Sequence, residues 1–523
     1  MGAAALLILG SVVAGGVAAA AEPTNGALLC EEPPEQLSRD RLFRAMSLDI
    51  RGVVPSIEEH EALADEPGDD VPDALVDEWL ESDEFATRLE RLHRELLWNS
   101  LDNIQLVSPS AVFRTTNGIS WRNNIATRYR GQNVPCLDEP AEIGDDGDIA
   151  TTTSATGARQ EGWVLVSPYW APATTIKVCA FDAQDAAVSV SGTACATPAG
   201  LQDPGCGCGP ALRNCMPGGS TQLRMITDAM VKDIDLRVAE LVETDGSYLD
   251  LFTSAGVWVN GPLVHYWRYL TAFPRMSMSP APIDVDRLPD LAFTDVDTWV
   301  KVQMGPEQAG ILTSPAFLLR FQTNRARANR FYNSFLCQAF NAPSGGIPVV
   351  AGAAAEPDLQ IRAGCEYCHA LLEPAASHWG RWGERGASRL AEDAFPPFDD
   401  SCELCATSGL PCSRRCQDFY VTQAFDDREA PYLGWLKSYL FRRPEHEHYV
   451  EEGPKLLVYS TLVDGRFERC AVRTAAEHLL GRALDKGEDA LVDDVAREFI
   501  ASGYKYRALV KALVTHPTYR RVR

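Results

Sequence analysis

From Leu37 to Leu48 the apolar positions recur at helical spacing, with Leu37, Leu42, Phe43, Ala45 and Met46 set in a charged background. Gly52 and Pro55 break that pattern, and Ser56 followed by Glu59 has the arrangement of a capping box, which predicts a helix over 57–64. Another helix is expected from Asp73 to Leu80. Ser82 or Asp83 then caps a longer one, on which Phe85, Leu89, Leu92 and Leu96 share a face and His93 lies at the rim. The helical period returns through Leu223, Ile226, Met230, Ile234, Val238 and Leu241 and stops near Gly246. Near the end of the chain Gly503 separates two short amphipathic helices, and Pro517 stops the second.

Two stretches interrupt this helical logic. Residues 131–220 are rich in Gly, Thr, Ala, Ser, Asp and Cys, with β-type runs at Gly162–Pro168, at Thr174–Cys179 and around Ala187–Val190. Residues 385–450 carry Cys402, Cys405, Cys412 and Cys416. The expected fold is mainly α: a multi-helix body with a small disulfide-rich β insertion at about 131–220 and a second Cys-rich loop insertion at about 385–450. In chain order this gives an export signal (1–21), a disordered lead-in (22–36), an N-terminal helical domain (37–130) and the β insertion. A central helical domain (221–340), a Pro/Gly/Ala-rich linker (341–363), a short segment at 364–384, the second insertion and a C-terminal helical domain (451–523) follow.

The export reading rests on the apolar run from Leu6 to Val17 and on Ala18-Ala19-Ala20, a small-x-small cleavage site, although no Lys or Arg precedes the run. Fifteen cysteines agree with it, because structural disulfides survive outside the reducing cytosol. The destination is the periplasm or the surface of a bacterium. No later apolar run is long enough to span a bilayer. Lys+Arg 48 against Asp+Glu 72 gives a net charge of −24, which repels phosphate backbones and argues against a nucleic-acid partner.

The stretch with the most specific chemistry is Cys365-Glu366-Tyr367-Cys368-His369, a CxxCH. Two thiols three positions apart can add across the two vinyl groups of a haem, and the adjacent histidine can then reach the iron. One covalent haem c is therefore the expected cofactor, with Cys365 and Cys368 as attachment points and His369 as the iron ligand. The rival is a vicinal disulfide that happens to precede a histidine. No methionine follows Met304, so a distal methionine must come from Met225, Met230, Met276, Met278 or Met304. Otherwise the sixth ligand is a histidine, with His378 nearest in sequence, or the position stays open. Met225 and Met230 also read as ordinary fillers of a helix face.

The remaining cysteines admit two readings. Cys402, Cys405, Cys412 and Cys416 have spacings that suit tetrahedral zinc, but in an exported chain two local disulfides are preferred. Cys206, Cys208 and Cys215 admit a zinc or iron–sulfur site on the same terms, again with disulfides preferred. His446-Glu447-His448 reads as an exposed loop. With Cys365 and Cys368 set aside, thirteen cysteines remain, so at least one stays unpaired.

Several blocks resemble the planctomycete-cytochrome-associated domains of unknown function, predicted exported c-type cytochromes also met in myxobacteria-like proteins. They are Arg41 to Ser56, Leu75 to Arg88, Tyr248 to Gly261, Gly310 to Leu318 and Asn324 to Cys337, then Phe467 to Leu484 and Phe499 to Val514. The same CxxCH stands at the same place in that family, and Glu373-Pro374 corresponds to its Asp-Pro; Ala375 to Trp379 depart from its pattern. Within the basic cluster Arg325, Arg327 and Arg330, the resemblance selects Arg330 as the arginine that would pair with a haem propionate; the alternative is a set of surface salt bridges at a helix start. The family implies no activity to carry over.

The leading expectation is an exported mono-haem c-type cytochrome-like protein that transfers electrons with an unknown redox partner, an electron-transfer or binding protein in preference to an enzyme. A non-haem, disulfide-rich extracellular scaffold is the alternative. A haem peroxidase-like enzyme is a third, and requires an open iron site and a distal acid–base residue that the sequence does not identify.

Overall fold

The computed structural model describes residues 36–520 except 99, 103, 274–282, 341–345, 347–351, 353–354 and 439. The export signal, nearly all of the lead-in, Met276, Met278 and most of the linker therefore lie outside the described residues. The chain is mainly α; two of its short sheets sit in and beside the first insertion, and a third pairs residues 256–259 with 300–303 in the central body.

The N-terminal helices are α1 (Arg39–Ile50), α2 (Ile57–Asp65), α3 (Asp73–Leu80) and α4 (Asp83–Leu97). Ser56 and Glu59 close the expected capping box on α2, and the Ser82 hydroxyl accepts from the Phe85 amide at the start of α4. The buried stripe of α4 is Phe85, Leu89, Leu92, His93 and Leu97. His93 is thus a core residue, not a rim one: one ring nitrogen bonds the Leu89 carbonyl and the other the Tyr248 hydroxyl, each at 2.9 Å.

The β insertion begins earlier than the composition shift at 131. Strands β1 (Phe113–Thr116) and β2 (Ile119–Arg122) precede α5 (Ala126–Arg130); β3 (Thr152–Thr153), β4 (Arg159–Gln160), β5 (Trp163–Val166) and β6 (Ile176–Cys179) follow it. The four-stranded sheet runs β1-β2-β6-β5, antiparallel except where β2 meets β6. Residues 187–190 form no strand, only a bridge from Val188 to Ala194. Cys136–Cys179, Cys195–Cys206 and Cys208–Cys215 staple the unit, so these sulfurs are committed to one another. Beside them Arg122 bonds Asp182 and Arg130 bonds Glu161 and Asp182, all four side chains fully buried. Each of these buried charges is matched by one of opposite sign.

The body resumes with α6 (Ser220–Glu243), α7 (Asp250–Thr253), β7 (Gly256–Val259), α8 (Gly261–His265), β8 (Val300–Gln303), α9 (Pro315–Arg320) and α10 (Asn324–Phe335). Strands β7 and β8 pair with each other. Met230 is buried on α6 and Met225 packs against the same core, as fillers. Helix α11 (Glu366–Ser377) lies against α10 and begins inside the CxxCH.

The second insertion is more than a loop. It folds as α12 (Asp400–Ser408) and α13 (Arg414–Phe419) around a small core of Leu390, Phe395, Cys402, Cys416, Tyr420, Leu436 and Val450. Its four cysteines are spent in two disulfides, Cys402–Cys416 and Cys405–Cys412. The chain ends with α14 (Glu445–Leu462), α15 (Arg466–Leu480), α16 (Asp489–Ala501) and α17 (Tyr506–Thr515). One apolar core runs from Leu42 through α6 and α10 to Tyr519, so the N-terminal, central and C-terminal helices share a single interior. A sixth disulfide, Cys337–Cys470, ties the end of α10 to α15 across 133 positions.

Arg327 of α10 is a structural peg. It is fully buried and donates to the carbonyls of Leu318, Phe321, Trp382, Gly383 and Gly386 and to Asn324 Oδ1. Among the described residues no carboxylate hydrogen-bonds to it, and Glu384 acts on it only through its charge. Burial pushes the guanidinium down to about 9, which still leaves it a cation at neutral pH. It fixes the turn after α11 to the start of α10.

Burial also depresses five histidines: His93, His378 and His446 to about 4, His265 to about 3, and His478 in the same direction. His446 opens α14 and is buried, so the His446-Glu447-His448 stretch is not the solvated loop its sequence suggests. In the unfolded chain each ring takes up a proton near pH 6.5. The stability these residues contribute is therefore complete above about pH 6.5 and is lost as the pH falls toward 4, with up to about 1.4 kcal/mol per pH unit from each fully buried ring. Denaturant midpoints measured from pH 7 to 4 should fall steeply in that window. A flat profile there contradicts the assignment.

Candidate functional site

Gly364, at φ +85°, turns the chain into α11, and the Glu366 and His369 amides bond back to Arg362 and Cys365 to close the first turn. Upstream, the described end of the linker is packed rather than loose: Asp358 and Gln360 are buried, and the Gln360 side chain donates to the Phe441 carbonyl. The CxxCH thus starts on a fixed platform.

Fourteen cysteines are described. Twelve form the six disulfides, and Cys365 and Cys368, both half-buried, are free thiols. The fifteenth, Cys30, lies outside the described residues. Cys365 caps α11 and Cys368 sits three positions later, so one helical turn brings both thiols to the same end of the helix.

His369 follows on the next position, with its side chain 24% exposed. Its Nδ1 lies 2.5 Å from Glu373 Oε1, one helical turn on, and its Nε2 has no hydrogen-bond partner among the described residues. Glu373 is almost wholly buried, and Arg325 Nε of α10 donates to the same Oε1 at 2.8 Å. Glu373 Oε2 is buried and unpartnered. The result is a chain Arg325–Glu373–His369 that crosses from α10 to α11.

The other expected site residues lie elsewhere. Arg330 is buried between α10 and α4, donates to the Glu95 carbonyl at 3.0 Å and covers Trp98 at 4.0 Å, and burial lowers it to about 10. Arg325, not Arg330, is the arginine joined to the histidine. The cluster is not a set of surface salt bridges either, since Arg327 and Arg330 are both buried. His378 sits at the far end of α11, about 13 Å of helical rise from His369. It is buried, stacks on Tyr449 at 4.7 Å, and bonds the Gly453 carbonyl through Nδ1 at 2.9 Å. Met225 and Met230 stay on α6, and Met304 follows β8.

Glu373 had a signal in the sequence: a carboxylate four residues after a histidine on a helix meets it across one turn. Two open clefts, of about 620 and 830 Å³, are lined by other residues and do not include His369. Compared with family models, curated proteins and solved structures, the chain matches none.

The residues present fit covalent haem in their donor set: two unpaired thiols at the required spacing and an imidazole with one nitrogen held and the other free. A metal-binding histidine commonly donates its second ring N–H to a carboxylate or carbonyl, the position Glu373 occupies here. Six disulfides fit an oxidising compartment, and among the described residues no helix is long and apolar enough to cross a membrane.

Proposed function

We propose that the chain is an exported, mono-haem c-type cytochrome-like protein that exchanges electrons with a partner. One observation carries this reading: the two CxxCH cysteines are the free pair in a molecule whose other twelve described cysteines are all bridged. A structural pair in such a setting is expected to be oxidised too. Cys365 and Cys368 would hold the group by thioethers and His369 Nε2 would face the iron; when bound, the group supplies one-electron redox chemistry. The resemblance to predicted exported cytochromes supports the same assignment.

Each thiol adds S–H across one vinyl group, so no atom leaves. The mature chain made alongside a haem-attachment system should therefore gain the mass of one intact haem and stain for haem after denaturing electrophoresis. Both signals should vanish in Cys365→Ser/Cys368→Ser. A mass equal to the bare polypeptide, less two hydrogens per disulfide, overturns the proposal.

That outcome would leave a disulfide-rich extracellular scaffold. It is the second reading because neither open cleft reaches His369.

A further inference from the structure

We infer that Glu373 is a positioning residue for His369: with Arg325 behind it, it holds the imidazole as an Nδ1–H donor and leaves Nε2 unprotonated and outward. The inference rests on the haem reading for its purpose, but its geometry stands without it.

The arrangement combines three features. Glu373 is 2% exposed, and a carboxylate buried to that degree needs partners of opposite charge or donors. It has two, Arg325 Nε at 2.8 Å and His369 Nδ1 at 2.5 Å, both on Oε1. Because Oε1 is a carboxylate oxygen, the short contact to Nδ1 is made by a ring that donates there. In a neutral imidazole the other nitrogen is then the acceptor, the form in which histidine ligates a metal.

The second feature is rigidity. The i,i+4 spacing on α11 lets Glu373 reach back only one turn, so the ring plane follows the helix. Arg325 belongs to α10, and two positions on Arg327 fastens α10 to the turn at Trp382 and Gly383 that follows α11. The carboxylate is held from both helices.

The third feature is electrostatic. Arg325 is 45% exposed while Glu373 is buried, so the cation is partly solvated and its compensation of the carboxylate is incomplete. Negative charge then remains beside the imidazole, and hydrogen bonding to the distal ring nitrogen raises ligand basicity. An iron held at Nε2 is thereby biased toward its oxidised form.

Two measurements test this. In full-length protein with Cys365→Ser/Cys368→Ser, which cannot take haem, ¹⁵N-histidine NMR above pH 8 should show His369 as the Nδ1–H tautomer. Glu373→Leu should shift the tautomer ratio at least tenfold toward Nε2–H. Glu373→Gln, which keeps an acceptor oxygen and covers the case where the leucine variant fails to fold, should retain most of the Nδ1–H form.

In the haem-loaded chain Glu373→Gln should favour reduction at least tenfold, or about 59 mV for a one-electron couple. Arg325→Gln should move the equilibrium the opposite way. An unchanged tautomer ratio in Glu373→Leu, or an unchanged reduction equilibrium in Glu373→Gln, overturns the inference. If the wild-type chain takes no haem, the functional proposal fails while the tautomer measurement still decides the role of Glu373.

Discussion

Arg327→Met is expected to lower the stability of the protein by about 4 kcal/mol or more, although the residue is buried and forms no ion pair among the described residues. Methionine reproduces the aliphatic stem but stops short of the guanidinium, whose buried place it leaves partly unfilled. What is lost is a six-acceptor network to five backbone carbonyls and one asparagine. A buried acceptor left without its donor costs about 1–3 kcal/mol, and several are orphaned together. Total stabilities of 5–15 kcal/mol make this a large fraction. Lysine should rescue little, because an ammonium offers three donors from one point where the guanidinium offers five in a planar fork. Denaturant titration should show a lower midpoint with an unchanged slope. A midpoint within 1 kcal/mol of wild type would sink the account.

Removing the Cys337–Cys470 bridge as a serine pair should have an effect of comparable size. Cross-linking positions 133 apart withdraws a large amount of conformational entropy from the unfolded chain, about 5 kcal/mol in the chain-entropy description. The Cys402–Cys416 bridge spans 14 positions and should be worth about 3 kcal/mol on the same scale. The two double-serine variants are compared by equilibrium unfolding under non-reducing conditions. A loss for Cys337→Ser/Cys470→Ser equal to or smaller than that for Cys402→Ser/Cys416→Ser would refute the loop-length argument.

The helical body was legible where local chemistry decides structure. Ser56 and Glu59, Ser82, and the period from Leu223 to Leu241 placed helix starts and faces because caps and amphipathic stripes are short-range signals. The preference for disulfides over metal at Cys402–Cys416 and Cys405–Cys412 followed from export and agrees with the pairing seen. Long-range partners were not legible. Cys337 ends one helical block and Cys470 stands near the start of another, yet nothing local joins them.

His93 read as a rim residue because it lies beside the apolar stripe, and His446 as part of an exposed loop because of its Glu and Pro neighbours, whereas the tertiary fold buries both. Among three arginines within about one and a half turns of helix, sequence could not say that Arg325 would meet Glu373, that Arg327 would be engulfed and that Arg330 would turn toward Trp98. The attachment motif itself was legible, since three residue types at fixed spacing define it. The carboxylate behind its histidine needed the helix to be known first.

The free pair at Cys365 and Cys368 sits inside the covalent ring that Cys337–Cys470 closes, surrounded in sequence by thiols that are all oxidised. This imposes a sorting problem on biosynthesis. An oxidant that acts on thiols indiscriminately meets the CxxC, the shortest loop of all, before it can join partners 133 positions apart. Maturation on the proposed reading therefore requires two opposed redox activities on one polypeptide: oxidation of twelve sulfurs, and renewed reduction of the two that must stay nucleophilic. The yield of mature protein would be governed by the order of those events rather than by the stability of the finished fold.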